Sequence, residues 1–135
     1  DNLRSGLNSN LGFTDEDREE NIRRTAELAK LISRNGVIVL VSLITPQESF
    51  RQQVREIIPA VQYSEVYIKT SFEECKKRDV KGLYAKQAAG KIKNFTGAGS
   101  GFEEPENADL IIDTESNTIE QSLELIYNHF KTNHQ

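Results

Sequence analysis

The chain has 135 residues, 36% of them hydrophobic, and a formal net charge of −4, which is typical of one domain of ordinary size. A single cysteine excludes a disulfide framework. No apolar run approaches the ~20 residues that span a bilayer, so we expect no membrane association. The mild acidity argues against general nucleic-acid binding. Because the sequence contains no methionine, we expect either a processed N-terminus or a segment of a longer protein.

The first elements of the chain predict a helix followed by a buried strand. Thr14 and Asp17 fit a capping box, and apolar residues then recur at helical spacing until an Asn-Gly pair at 35–36. This pattern predicts a helix over about 15–34. Residues 37–44 follow directly, and seven of these eight residues are apolar and five are β-branched, which is typical of a strand covered on both faces in a parallel sheet.

The remainder of the chain alternates between helix and strand patterns. Helices are predicted over 47–58 and 71–78 and from Thr118 onward, and strands over 64–69 and 110–112. Ser71 with Glu74 and Thr118 with Gln121 are predicted to cap the last two of these helices. This alternation predicts an α/β fold with a parallel sheet and flanking helices. Since a sheet usually has about five or six strands, the three predicted here suggest further strands before residue 1.

Residues 76–104 differ in composition from the rest of the chain. They hold seven of the 17 Lys and Arg residues and five of the eight Gly residues. Ligands of open α/β sheets bind beyond the carboxyl ends of the strands, close to where this segment begins. Basic residues among glycines suit a phosphate-binding lid, and a solvated surface loop is the alternative.

The residues at the start of the chain allow two interpretations each. Arg18 and Asn21 are three apart and share a helix face, which suits either a ligand site or a solvated surface. Phe13 could pack as a hydrophobic staple or offer a ring to a base. Segment 1–8 could hold an anion or a metal, or could be a frayed terminus. Cys75 is expected to pack rather than react.

Four segments taken together resemble the adenylylsulfate kinase family, whose members phosphorylate the 3′-hydroxyl of adenosine 5′-phosphosulfate with ATP. The segments are Asp1-Asn2-Leu3-Arg4-Ser5-Gly6-Leu7-Asn8, Leu11 to Arg24, Cys75 to Tyr84, and Phe95-Thr96-Gly97 with Glu104-Pro105-Glu106-Asn107. The resemblance implies a P-loop kinase fold of three α/β/α layers. Residues 1–135 would form a single, partial domain with a mobile lid over 79–104, its first strand and P-loop preceding residue 1.

The resemblance also implies roles for individual residues. Asp1 corresponds to the second acid of the family's Asp-Gly-Asp-Asn motif, and would act as a base or hold Mg²⁺. The residues that would bind the phosphosulfate are Arg4, Arg18 and Asn21, and the two rings that would enclose its adenine are Phe13 and Phe95. Ile44 and Thr45 would line the same pocket. The lid residues would be Lys81, Gly82, Leu83 and Tyr84. Cys75 and Arg78 correspond to the region around the ATP adenine.

By resemblance, the expected ligands are ATP, Mg²⁺ and adenosine 5′-phosphosulfate. The resemblance also implies a cytoplasmic protein that can form homodimers and that in some members is linked to an ATP sulfurylase domain. The sequence departs from the family by lacking the Gly-x-x-x-x-Gly-Lys-Ser/Thr loop. It also has Pro46-Gln47-Glu48 where the family has Pro-Tyr-Arg. Two alternatives therefore stand, namely a non-catalytic binding module for adenosine 5′-phosphosulfate and a P-loop kinase with another acceptor.

Overall fold

The computed structural model describes residues 2–90 and 101–133, which divide into two compact units. Among the described residues, the first unit holds 2–63 with 101–104, and the second holds 64–90 with 105–133. No helix in the described ranges is long and apolar enough to cross a membrane.

The first unit is built on two helices, α1 (Asp15–Ser33) and α2 (Glu48–Ile57). The hydroxyl of Thr14 accepts the N–H of Asp17 over 3.2 Å, which confirms the predicted N-cap. Three acidic residues in the first turn of α1 complement the positive end of its dipole. Helices α1 and α2 each begin and end within one residue of the limits predicted from the sequence, 15–34 and 47–58.

The core of the first unit lies between α1 and the end of α2. Ala26 and Ala29 of α1 are buried together with Ile58, which follows α2. Four partly buried side chains pack around them: Val39, Val54, Ile57 and Tyr63. A 3₁₀ turn over Ala60–Gln62 completes this unit.

The strand predicted over 37–44 is not formed. The structure assigns no regular secondary structure to these residues, and most of their side chains are exposed, including Leu40 at 87%. A strand needs a neighbour for its N–H and C=O groups. Within 2–90 and 101–133, no residue forms a backbone hydrogen bond with this segment. Only the half-buried Val39 contributes to the core.

The second unit contains a parallel pair of strands, β1 (Val66–Lys69) and β2 (Leu110–Asp113). Val66 is in register with Leu110, and Lys69 with Asp113. Ile112 is fully buried, and α5 (Ile119–Asn133) packs on β2. The parallel sheet with flanking helices confirms the predicted α/β class.

Two short helices follow β1, namely α3 (Phe72–Arg78) and α4 (Leu83–Ala88). The Ser71 hydroxyl caps α3 by accepting the N–H of Glu74, as predicted. Helix α4 was not predicted and lies inside the segment interpreted as a loop. The Asp79 carboxylate accepts the N–H groups of Tyr84 and Ala85 over 3.0 and 3.1 Å, which satisfies the first turn of α4. Residues 91–100 of the predicted lid lie outside the described residues.

Candidate functional site

Arg4 and Phe13 form the centre of a polar surface just before α1. The Arg4 guanidinium lies over the Phe13 ring, 4.4 Å from its centroid, in a cation–π contact. Its Nη1 donates to the carbonyl oxygens of Leu11 and Gly12 over 3.2 and 2.8 Å. Three contacts thus hold one charged side chain against one aromatic ring.

Arg18 holds the backbone of the same aromatic residue. Its Nε donates to the carbonyl oxygen of Phe13 over 3.2 Å, so the predicted residues Arg4, Phe13 and Arg18 are brought together. The Phe13 ring is 64% exposed, which is incompatible with a hydrophobic staple and leaves a ring face available. A Cβ on Gly12 would lie 2.7 Å from a carboxylate oxygen of Asp17, so the loop approaches the first turn of α1 closely at this residue.

Asn21 lies one helical turn beyond Arg18 and is 6% exposed. Its side-chain oxygen accepts a hydrogen bond from Nδ2 of Asn8 over 2.9 Å, and Asn8 is fully buried. Asn8 was not among the predicted site residues. The sequence signal for Asn8 was its position in segment 1–8, which resembles the family. Its burial could not be predicted, because it depends on a contact with Asn21, 13 positions away.

Ile44 and Thr45 lie in the same unit, at a strained turn before α2. Thr45 has a φ of +41°, a region that a β-branched residue rarely adopts. Its carbonyl oxygen accepts from the buried Arg51 over 2.8 Å. The N–H of Glu103 donates to the Pro46 carbonyl oxygen over 2.9 Å. The sequence pattern indicated neither Arg51 nor Glu103 as part of this turn.

Glu48, at a position where the resemblance implies an arginine, is occupied by contacts inside its own helix. Its carboxylate accepts from Arg51 and Arg55 over 2.7 and 2.6 Å. These hydrogen bonds, that of Arg55 first, lower the pKa of Glu48. The backbone N–H of Glu48 donates to the Glu103 carboxylate over 2.6 Å. Glu103 therefore caps α2, because the N-cap residue Gln47 makes no side-chain capping hydrogen bond.

In the second unit, Arg78 lies at the carboxyl ends of both strands, the edge predicted for ligands. Its Nη1 and Nη2 donate to the hydroxyl and carbonyl oxygens of Thr114, each over 2.9 Å, and its Nε donates to Glu74 over 2.8 Å. Thr70, which follows β1, shares a hydrogen bond with Thr114, which follows β2. Arg78 is therefore held at the point where the sheet ends.

Cys75 is half-buried on α3 and lies beside Tyr84. Burial, and secondarily a hydrogen bond with Cys75, raises the pKa of the Tyr84 phenol. The rings of Phe72 and Tyr84 meet edge to face with centroids 5.7 Å apart. This packing places Lys81, Gly82 and Leu83 at the start of α4, where Gly82 has a φ of +63° that favours glycine.

Two of the predicted site residues, Asp1 and Phe95, lie outside the described residues. Among all residues that the structure describes, no group of three or more His, Cys, Asp or Glu side chains is arranged to hold a metal ion. The predicted Mg²⁺ site at Asp1 therefore stays a prediction.

Comparison with known proteins assigns the family. A sequence profile described as adenylylsulphate kinase matches residues 1–113. An adenylyl-sulfate kinase of Staphylococcus carnosus (strain TM300) is 48% identical over 131 residues, which is 97% of this chain and 66% of that protein. One of Phocaeicola vulgatus is 50% identical over 123 residues, which is 91% of this chain and 60% of that protein. The chain thus spans less than two thirds of the length of these relatives.

Solved structures agree with this assignment. The Mycobacterium tuberculosis APS kinase CysC in complex with AMPPNP and APS has a TM-score of 0.91 at 38% identity, covering 96% of this chain and 76% of that one. The crystal structure of APE1195 has a TM-score of 0.88 at 42% identity, covering 96% and 74%. These values confirm the predicted α/β kinase fold. On the profile match, the sequence identities and the shared fold, this chain belongs to the adenylylsulphate kinase family.

Proposed function

We propose that the protein containing this chain transfers the γ-phosphoryl group of ATP to the 3′-hydroxyl of adenosine 5′-phosphosulfate. The observation that supports this most directly is the cluster of Arg4, Phe13 and Arg18. In it, the Arg4 guanidinium lies over the exposed Phe13 ring, and Arg18 donates to the backbone carbonyl oxygen of the same residue. All three residues match the family by resemblance.

The first unit would bind the acceptor nucleotide. The exposed Phe13 ring suits stacking with adenine, which is worth about 1–3 kcal/mol per base. Phe95 would be the second ring of the sandwich. Planar guanidinium groups match the oxygen sets of a phosphosulfate, which suits Arg4 and Arg18, while Asn21 adds amide donors. The Ile44-Thr45 turn would line the same pocket.

The second unit would supply residues for ATP binding and for the lid. By the family resemblance, Cys75 and Arg78 would lie near the ATP adenine, and Lys81, Gly82, Leu83 and Tyr84 would belong to the lid. Phosphoryl transfer depends mainly on positioning and on neutralising charge, which basic lid residues supply. The proposal requires a phosphate-binding loop outside these 135 residues.

Asp1 would hold Mg²⁺ or act as the base for the acceptor hydroxyl, because carboxylate oxygens are the ligands that Mg²⁺ prefers. When bound, Mg²⁺ neutralises charge on the transferred phosphoryl group. We extend the proposal to a cytoplasmic location, a homodimer and, in a fused form, an ATP sulfurylase partner. The family resemblance is the support for these three statements.

An acceptor assay on the full-length protein tests this function. We expect ADP release from ATP with adenosine 5′-phosphosulfate and little release with adenosine 5′-monophosphate. Arg18→Ala should raise the KM for adenosine 5′-phosphosulfate at least about tenfold and leave the KM for ATP within about twofold. Arg34→Ala, at the exposed end of α1, is the matched control. Equal turnover of another acceptor would overturn the assignment.

The two alternatives make different predictions. A binding module would take up adenosine 5′-phosphosulfate in a calorimetric titration without any ADP release. A kinase for another acceptor was suggested by Glu48, but Arg51 and Arg55 bind its carboxylate, which removes the reason to assign Glu48 to an acceptor. We therefore retain adenylylsulfate as the acceptor.

A further inference from the structure

We propose that Asn8 is a positioning residue for the anionic end of the acceptor, because it fixes which end of the Asn21 amide faces the ligand. This inference rests on the proposed function. In this inference Asn8 does not itself contact the substrate. It acts on Asn21, which would contact it.

Asn8 and Asn21 form a rigid buried pair. Asn8 is 0% exposed, and its Nδ2 donates to Oδ1 of Asn21 over 2.9 Å. The backbone N–H of Asn8 donates to the Leu3 carbonyl oxygen over 2.7 Å, which anchors the donor side of the pair. The carbonyl oxygen of Asn21 accepts from the Thr25 hydroxyl over 2.6 Å, and Asn21 lies in the middle of α1. Both partners are therefore also held by hydrogen bonds of their own backbones.

The polarity of this hydrogen bond determines what Asn21 can offer to a ligand. A side-chain amide has an accepting oxygen and a nitrogen with two donor hydrogens. Since Asn8 engages the oxygen, the nitrogen is the end with which Asn21 can bind substrate. Arg18 lies three residues earlier on the same helix face. Two sets of donors on one face suit a phosphosulfate, whereas an amide turned the other way would present an acceptor to an anion.

The oxygen atom of the Asn8 side-chain amide supports a functional role for this residue. Its Oδ1 is buried and has no hydrogen-bond partner among residues 2–90 and 101–133. Such an atom lowers stability, and a buried polar group without a partner calls for an explanation. An apolar side chain at position 8 would avoid this cost but could not donate to Asn21. The orienting hydrogen bond explains why an asparagine stands here.

The test uses the full-length protein and the variant Asn8→Asp, which keeps the size of the side chain and removes its donor. The new carboxylate would face Oδ1 of Asn21 and favour rotation of that amide. We expect the KM for adenosine 5′-phosphosulfate to rise about ten- to hundredfold, as for a lost hydrogen bond to a charged group, and the KM for ATP to change by less than about twofold. If Asn8 instead accepted from Asn21, the carboxylate would preserve the bond and the KM would stay unchanged, which overturns the proposal.

A double-mutant cycle separates positioning from a purely structural role. Asn8→Ala should raise the KM for adenosine 5′-phosphosulfate in the wild-type background and by less than about twofold in the Asn21→Ala background, because it acts through Asn21. Additive effects, or equal rises for both nucleotides, would overturn the proposal. Asn10→Ala is the control, since Asn10 also bonds a side chain of α1, accepting from Arg24 over 2.9 Å, but is exposed.

A measurement on the wild-type protein covers the case in which Asn8 variants do not fold. The side-chain amide signal of Asn21, identified by its loss in Asn21→Ala, should shift in a ¹⁵N spectrum when adenosine 5′-phosphosulfate is added. An unshifted signal on binding overturns the inference and removes Asn21 from the proposed acceptor site, while the proposed phosphoryl transfer stays intact. A wild-type protein without kinase activity would instead contradict the proposed function.

Discussion

Arg51 and Thr45 are joined by a hydrogen bond that supports a strained turn. Nη1 of Arg51 donates to the Thr45 carbonyl oxygen over 2.8 Å, and Thr45 has a φ of +41°. The Arg51 side chain is 3% exposed and also binds Glu48 over 2.7 Å. A buried charge therefore stabilises a backbone conformation that costs energy in an isolated chain.

Removing this charge should destabilise the first unit. In Arg51→Met the apolar stem remains, but the Thr45 carbonyl oxygen loses its donor, so we expect a loss of about 1–3 kcal/mol in the free energy of unfolding. Urea denaturation of the full-length protein measures it. Arg34→Met, at an exposed position, should change stability by less than about 0.5 kcal/mol. Equal effects of the two substitutions would show that the turn does not depend on Arg51.

Phe13 should matter for binding and not for folding. The variant Phe13→Leu removes the aromatic face, and we expect affinity for adenosine 5′-phosphosulfate to fall by about 1–3 kcal/mol in a calorimetric titration. The melting temperature should stay unchanged, because the side chain is 64% exposed. Tyr127→Leu is a matched control, since Tyr127 has the same exposure on α5. A drop in melting temperature without a loss of affinity would contradict this role.

The capping box of α5 should contribute to the stability of the second unit. Thr118 N–H donates to Oε1 of Gln121 over 2.8 Å, and the N–H of Gln121 donates to the Thr118 hydroxyl over 3.2 Å. Thr118→Ala should cost about 1 kcal/mol in thermal or urea unfolding. The same substitution at Thr132, whose hydroxyl donates to the Asn128 carbonyl oxygen within the helix, should cost nothing. A cost at Thr132 equal to that at Thr118 would refute the capping effect.

Glu20 should titrate at unusually low pH. Hydrogen bonds from Arg23 and then Arg24 lower its pKa from 4.5 to about 2. A carboxylate with a lowered pKa stabilises the folded state above its ordinary pKa, and this contribution is lost as the pH falls from 4.5 to about 2. A ¹³C titration of the Glu20 carboxyl measures the midpoint. The double variant Arg23→Gln with Arg24→Gln should move that midpoint back toward 4.5. A wild-type midpoint near 4.5 would contradict the ion-pair geometry.

Features that depend on neighbouring residues were predictable. The caps at Thr14, Ser71 and Thr118 each join residues three apart, so a short window of sequence contains both partners. Helix α4 was missed because Asp79, which accepts the N–H groups of its first turn, lies in a lysine-rich segment with Gly82 that is typical of a loop. The strand predicted over 37–44 has the right residue types, but a strand forms only with a hydrogen-bonded neighbour.

The sequence by itself determined the limits of α1, α2 and α3, the α/β class, the family and the residue types of the site. Only the tertiary structure decided which of them act on one another. Asn8 and Asn21 are 13 residues apart, and Glu103 caps α2 from 55 residues away. The strength and polarity of such contacts depend on burial and on the distance between donor and acceptor. The chain acquires both only when distant segments pack together.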